Sequence, residues 1–173
     1  MAHSDPASLV RLMGFDVDGV LTDGSLYFTP NGDEIKAFSS LDGHGLKMLQ
    51  AAGIEVAIIS GRSSRALELR AANLGIGELH MGVADKRSCL LALLARRGLD
   101  PRHAGYMGDD VVDLPVLRAC GFSAAPGDGH DFVKRHVTHV TVRGGGHGAV
   151  REVCDHLLDA QGRLHAMLQG YLD

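Results

Sequence analysis

Short apolar runs recur along the chain at Leu9–Phe15, Ile54–Ser60, Glu78–Met81, Ala104–Gly108, Phe122–Ala125 and His139–Val142. Their lengths suit buried strands. Helical patterns lie between them over Gly45–Ala52, Ser63–Leu74, Lys86–Arg97, Val112–Ala119 and Asp131–Arg135, and a long last helix is predicted from about Gly148 past Gln161. Strands that alternate with helices predict βαβ units, and hence an α/β fold with a parallel sheet covered by helices on both faces. Gly53, Gly75, Gly98 and Gly121 each follow a helical run, where a residue with positive φ is wanted.

One segment breaks the alternation. Ser25–Thr29 and Glu34–Ser39 flank Pro30-Asn31-Gly32-Asp33, and Asn-Gly is a strong hairpin signal. The arms carry Leu26-Tyr27-Phe28 and Ile35-Lys36-Ala37-Phe38, more apolar surface than a lone hairpin exposes. The hairpin is therefore expected to pack against another subunit or to lie over a site, in preference to extending the main sheet.

The chain has 173 residues, which predicts one domain over 1–173, with the hairpin at about 25–39 and a C-terminal tail and helix at about 144–173. Hydrophobic residues make up 45%, enough for a core, and the net charge of −4 gives no basic footprint for nucleic acid. No apolar span is long enough for a membrane helix, and the polar start Met1-Ala2-His3-Ser4-Asp5-Pro6 predicts no signal peptide. Cys89, Cys120 and Cys154 are odd in number and far apart, which suits reduced thiols in a cytoplasmic protein.

The candidate chemistry sits at predicted strand ends. Asp16 and Asp18 stand where the first strand stops, and Gly19 lets the chain turn away. Like charges so close repel and resist desolvation. A divalent cation relieves that repulsion, and a phosphoryl group bound to it accounts for the rest. Ser60-Gly61-Arg62 close the second strand, Lys86 opens a helix, and Gly108-Asp109-Asp110 end a later strand with Asp113 one turn on. Singly, Ser60, Asp109 or Asp110 would serve as helix caps and Lys86 as a solvated charge. Jointly they converge on the edge where parallel sheets bind ligands. The chain lacks G-x-x-x-x-G-K-[ST] and a well-placed G-x-G-x-x-G, which argues against a nucleotide-binding enzyme.

Asp16-x-Asp18-Gly19-Val20-x-Thr22-Asp23, Ser60, Lys86 and Gly108-Asp109-Asp110-x-x-Asp113 resemble the four motifs of the haloacid dehalogenase (HAD) phosphatases in order and spacing. A response-regulator receiver also combines carboxylates, a hydroxyl and a lysine, but its phosphate acceptor lies on a later strand. Asp42-Gly43-x-Gly45, Gly53-Ile54-x-Val56-Ala57-Ile58-Ile59-Ser60-Gly61-Arg62, Leu74-Gly75-Ile76 and Gly145-Gly146-x-Gly148-Ala149-Val150-Arg151-Glu152 narrow the resemblance to the 3-deoxy-D-manno-octulosonate 8-phosphate (KDO 8-phosphate) phosphatases, from about Leu12 to Arg163.

That resemblance implies a Rossmann-like HAD fold without a separate cap domain, and Mg2+-dependent hydrolysis of KDO 8-phosphate in lipopolysaccharide precursor synthesis in the cytoplasm. It implies Asp16 as nucleophile and Asp18 as proton shuttle, so Asp16 should be ionised and Asp18 should have a raised pKa. Mg2+ would be held by Asp16, the Asp18 carbonyl and Asp109, with Asp110 and Asp113 as orienting neighbours. Ser60, Gly61 and Lys86 would hold phosphoryl oxygens. Arg62, Arg70 and His147 are candidates for the substrate carboxylate. Related proteins form tetramers through the hairpin, with the C-terminal tail near a neighbour's site. The chain departs from the family's usual residues at Leu41, Met81, His147 and Gly127-Asp128-Gly129-His130-Asp131, so a phosphatase for a sialic-acid-type 9-phosphate and a non-catalytic HAD-type assembly module stay open.

Overall fold

The first strand starts later than its apolar run. Asp5 accepts a hydrogen bond from the Ala7 N–H and Pro6 takes the first helical position, so Pro6–Leu9 closes into a 3-10 turn. Strand β1 is left with Leu12–Phe15, buried throughout. The computed structural model describes residues 5–172; most of the polar start, residues 1–4, and Asp173 lie outside the described residues.

After β1 the chain forms the hairpin strands β2 (Tyr27–Phe28) and β3 (Glu34–Ile35), then helix α1 (Ser40–Ala51). Alternation follows through β4 (Glu55–Ile59), α2 (Arg65–Leu74), β5 (Glu78–His80), α3 (Lys86–Arg97), β6 (Ala104–Met107), α4 (Leu114–Leu117), β7 (Phe122–Ala125), α5 (Asp131–Lys134) and β8 (His139–Val140). Helices α6 (Ala149–Ala160) and α7 (Leu164–Gln169) end the described chain. The expected single last helix is thus two, parted at Gly162, whose φ is +68°.

The main sheet has the order β5-β4-β1-β6-β7-β8, and every pair in it is parallel. The order runs outward from β1 in both directions, so the connections diverge beside β1 and leave a crevice at its carboxyl end. One apolar layer joins Met13 and Phe15 of β1 to α1, α2 and α6 through Leu46, Leu67 and Val153. The other joins Leu12 and Ile59 to α3, α4 and α5 through Leu90, Val116 and Val133. The helices thus cover both faces. Tyr106 reaches across from β6 to donate to the Ile59 carbonyl at 2.9 Å, and its ring fills the place a Cβ on Gly14 would take, 2.6 Å away.

Helix α1 begins five residues before the expected Gly45. Ser39 caps it, accepting from the Asp42 N–H, and the glycines inside it are packing residues. A Cβ on Gly45 would stand 3.0 Å from Arg151 Cδ and 3.1 Å from Cys154 Cβ, so α1 and α6 approach closely there. Gly53, Gly75 and Gly98 have the expected positive φ, but Gly121 does not; it is small because the Arg102 backbone passes against it.

The hairpin forms its own two-stranded sheet and does not extend the main one. Register pairs Tyr27 with Ile35 and Phe28 with Glu34. Among the described residues no further sheet or helical layer stands apart as a cap. No helix among them is long and apolar enough to cross a membrane.

Candidate active site

Asp16 follows β1 directly and Asp18 lies two residues on, where Gly19 (φ +84°) turns the chain. Thr22 secures the turn: its hydroxyl accepts from the Gly19 and Gly24 N–H groups at 3.3 and 3.2 Å. The Gly145-Gly146 segment backs the same loop, with the Gly146 N–H donating to the Val20 carbonyl at 3.0 Å. A side chain at Gly145 would strike the Gly19 carbonyl, which is why this glycine run is a close-contact backbone and not a flexible linker.

Asp16, Asp18, Ser60, Gly61, Arg62, Lys86, Asp109 and Asp110 all line one cavity of ≈ 460 Å³, together with Gly24, Val83, Ala84 and Val112. Ser60 follows β4 directly and accepts from the Arg62 N–H at 3.2 Å. Asp85 caps α3, accepting from the Ser88 N–H, and so places Lys86 at the first helical position. Lys86 Nζ lies 2.8 Å from Asp16 Oδ1 and 2.6 Å from Asp113 Oδ1. Burial works to lower the Lys86 pKa, but the two carboxylates outweigh it and hold it above its ordinary value.

Asp113 is fully buried behind the cavity wall. Its second oxygen accepts from the Asp109 and Asp110 N–H groups at 3.2 and 3.4 Å. Both its oxygens are therefore committed, one to Lys86 and one to the loop that presents Asp109. Burial, reinforced by the Asp113 charge and opposed by Lys86, pushes Asp16 up to about 6. Burial with the Asp16 and Asp113 charges pushes Asp109 up to about 7. Asp16 is sunk among other acids, whereas Asp18 faces the cations Lys36 and Arg62. Asp16 remains ionised above about pH 6, as a nucleophile requires.

Oxygens of Asp16, Asp109 and Asp113 all lie within 4.8 Å of one another. Crowded, oxygen-only donors with two carboxyls pushed upward are what a hard divalent cation relieves, so these residues fit Mg2+. Asp16 and Asp109 have the uncommitted oxygens.

Two expected substrate residues lie elsewhere. Arg70 sits on α2 facing α1: it donates to the Ser39 carbonyl at 3.1 Å and its guanidinium lies 5.8 Å from the centre of the Phe38 ring. His147 is exposed and lies outside the cavity lining. Nor do Leu41 and Met81 line the cavity.

The haloacid dehalogenase-like hydrolase family matches residues 26–121. The chain belongs to the haloacid dehalogenase-like hydrolases. Among relatives of this HAD chain, the KDO 8-phosphate phosphatase KdsC of Escherichia coli (strain K12) is 45% identical over 158 residues, covering 91% of this chain and 84% of that protein. KdsC of Haemophilus influenzae is 45% identical over 165 residues, covering 94% of this chain and 92% of the relative. The crystal structure of the KDO 8-phosphate phosphatase of Moraxella catarrhalis, in complex with magnesium, phosphate and KDO, superposes with a TM-score of 0.94 at 38% identity, covering 96% of this chain and 95% of that one.

Sequence reasoning missed two residues that the HAD fold brings to this site, Glu34 and Lys36 of the hairpin. Lys36 Nζ lies 2.5 Å from Asp18 Oδ1 and 2.5 Å from Glu34 Oε1. Arg62 Nη2 lies 2.5 Å from Glu34 Oε2. The signal was present in the alternation of Glu34, Ile35 and Lys36, which puts both charges on one face of the arm.

Proposed function

We propose that this chain is a Mg2+-dependent phosphomonoesterase that hydrolyses KDO 8-phosphate to the free sugar acid and phosphate. The observation that carries the reading is the Asp16 carboxylate at the end of β1, held 2.8 Å from Lys86 in a cluster of acids that fits a divalent cation. The relatives named KDO 8-phosphate phosphatase, similar over most of the chain, support the substrate.

An Asp16 oxygen attacks phosphorus, and the ester P–O bond breaks as Asp18 gives a proton to the departing sugar oxygen. Asp18 then takes a proton from the water that releases phosphate from Asp16. Ser60 Oγ, the Gly61 N–H and Lys86 Nζ hold the phosphoryl oxygens. Asp113 keeps Lys86 in place and, with Asp110, shapes the loop that carries Asp109. Asp16, Asp109 and the Asp18 carbonyl would hold Mg2+, which would supply positive charge against the phosphoryl oxygens. Arg62, exposed on the cavity wall, is placed to meet the substrate carboxylate.

Within this reading the chain acts as one domain in a cytoplasmic homotetramer, in lipopolysaccharide precursor synthesis. The exposed Leu26, Tyr27, Phe28 and Ile35 on the hairpin support assembly through that face.

A phosphate-release screen across sugar phosphates tests the substrate. Highest kcat/KM for KDO 8-phosphate is expected, and preference for a neutral sugar phosphate or a sialic-acid-type 9-phosphate overturns it. Asp16→Asn should abolish turnover of every ester, and EDTA should silence the wild type until Mg2+ is restored.

A further inference from the structure

The hairpin carries its charges inward and its apolar side chains outward. Side chains alternate along a strand. Ile35 is 56% exposed, and Tyr27 and Phe28 are exposed beside it. Glu34 and Lys36 face the other way, and the Lys36 side chain is only 2% exposed. Lys36 Nζ donates to Asp18 Oδ1 at 2.5 Å and pairs with Glu34 Oε1. Arg62 closes the ring, with Nη2 on Glu34 Oε2 and Nε 3.6 Å from Asp18 Oδ2. Each Asp18 oxygen thus faces a different cation, one carried by the hairpin and one by the loop after β4.

A packing element has no need of this arrangement. Burying an ammonium is unfavourable unless it is well paired, and Ile35 or Phe28 would fasten the hairpin without that penalty. Lys36 does not line the cavity, whereas Arg62 and Asp18 do, so Lys36 reaches the chemistry only through Asp18.

We propose that Lys36 is a positioning residue for Asp18, gripping one carboxylate oxygen from the hairpin so that the other is presented to the ester oxygen of a bound phosphate. The proposal rests on the reading of Asp18 as proton donor. In the step it serves, an Asp16 oxygen bonds to phosphorus, the ester P–O bond breaks with its electron pair on the sugar oxygen, and the Asp18 proton moves to that oxygen. Glu34 holds Lys36 from the far side, and docking of the hairpin becomes a condition for proton transfer.

The dependence on leaving group separates this role from a fastening role. The constant kcat/KM reports the steps up to alcohol departure. A sugar phosphate needs a proton on its leaving oxygen, while p-nitrophenyl phosphate departs as a stable phenolate without one. Lys36→Met should lower kcat/KM for the sugar phosphate about 10-fold or more beyond its effect on p-nitrophenyl phosphate, a part of the roughly 10²–10⁴-fold that a positioned acid supplies. Lys36→Arg, which keeps a donor near Oδ1, should recover most of that difference. Equal losses on both esters after Lys36→Met overturn the proposal. If Lys36→Met does not fold, Lys36→Gln is read in its place, with the same direction required. Asp18→Asn separates the two claims. If it shows the leaving-group dependence and the Lys36 variants do not, the positioning role falls alone. If it lowers both esters equally, the proton-donor reading falls and the positioning role with it.

Discussion

Gly19 stands so close to Asp109 that a Cβ at position 19 would collide with the Asp109 carboxylate. The first acidic motif and the last are thus in contact, through a glycine that also has φ +84°. Gly19→Ala should therefore combine backbone strain with displacement of Asp109. The expected outcome is a loss of kcat of about 100-fold or more, the size expected when reacting groups are misplaced by about 1 Å, with a higher Mg2+ concentration needed for half-maximal rate. A magnesium titration of activity checks it, and an unchanged requirement would mean that Asp109 does not hold the ion.

Asp16 and Asp109, pushed up to about 6 and about 7, make the metal-free protein respond to pH in an unusual direction. Both values lie above the ordinary carboxyl, so the folded state holds these protons more tightly than the unfolded chain. Their contribution to stability is fully present below about pH 4 and is lost as pH rises through 6 to 7. Mg2+ needs the ionised carboxylates. Its stabilising effect should therefore be larger at pH 8 than at pH 5.5, where protons compete. Thermal melts with and without Mg2+ at the two pH values measure this, and equal increments would contradict it.

The sequence and the structure part company where a residue's neighbours come from far along the chain. Helix α3 is legible to the residue because its limits are local: Asp85 caps its start, and Gly98 takes the left-handed conformation at its end. The first turn of α1 is not, because Asp42-Gly43-His44-Gly45 has the composition of a loop, and only distant contacts, Gly43 against Arg70 and Leu74 and Gly45 against Arg151 and Cys154, explain glycines within a helix. Eight of the cavity residues were legible because they follow strand ends or start a helix on one edge of a parallel sheet. Arg70 was not, since its place one or two turns along α2 leaves its direction to packing, and it turns to Phe38 and the Ser39 carbonyl. Lys36 escaped for the converse reason: the period of its arm is plain, but nothing local tells which face of a hairpin meets Asp18.

Asp42 supplies another long-range link with a measurable consequence. Helix α6 is preceded by Gly148, which offers no capping side chain. Asp42 of α1 serves instead, its Oδ1 accepting from the Arg151 N–H at 2.8 Å. Asp42→Ala should destabilise the fold by about 1–2 kcal/mol, the usual worth of a cap, which is a fall in Tm of about 2–8 °C for a chain of this size. Asp42→Asn keeps an acceptor oxygen and should lose less than half as much. Similar losses for the two variants would show that the charge, and not the cap, matters.

His139 carries the opposite pH response and closes the other edge of the sheet. Its ring stacks on His156, centroids 4.4 Å apart, and Phe122 lies against both. Among the described residues its Nε2 is buried without a hydrogen-bond partner. Burial, aided by His156, holds the His139 pKa below its ordinary value, while Glu152 and Asp5 pull weakly the other way. The neutral ring thus favours the folded state above about pH 6.5, and the contribution is lost as pH falls and the unfolded chain takes the proton first. His139→Phe keeps the aromatic contact and removes both the proton and the orphaned nitrogen. The Tm of this variant should rise relative to wild type as pH is lowered from 7.5 to 5.5. Taking the difference between the two proteins cancels the opposing slope from Asp16 and Asp109, which both share. A difference that stays flat across that range would place the His139 ring in water and remove it from the sheet edge as a pH-sensitive contact.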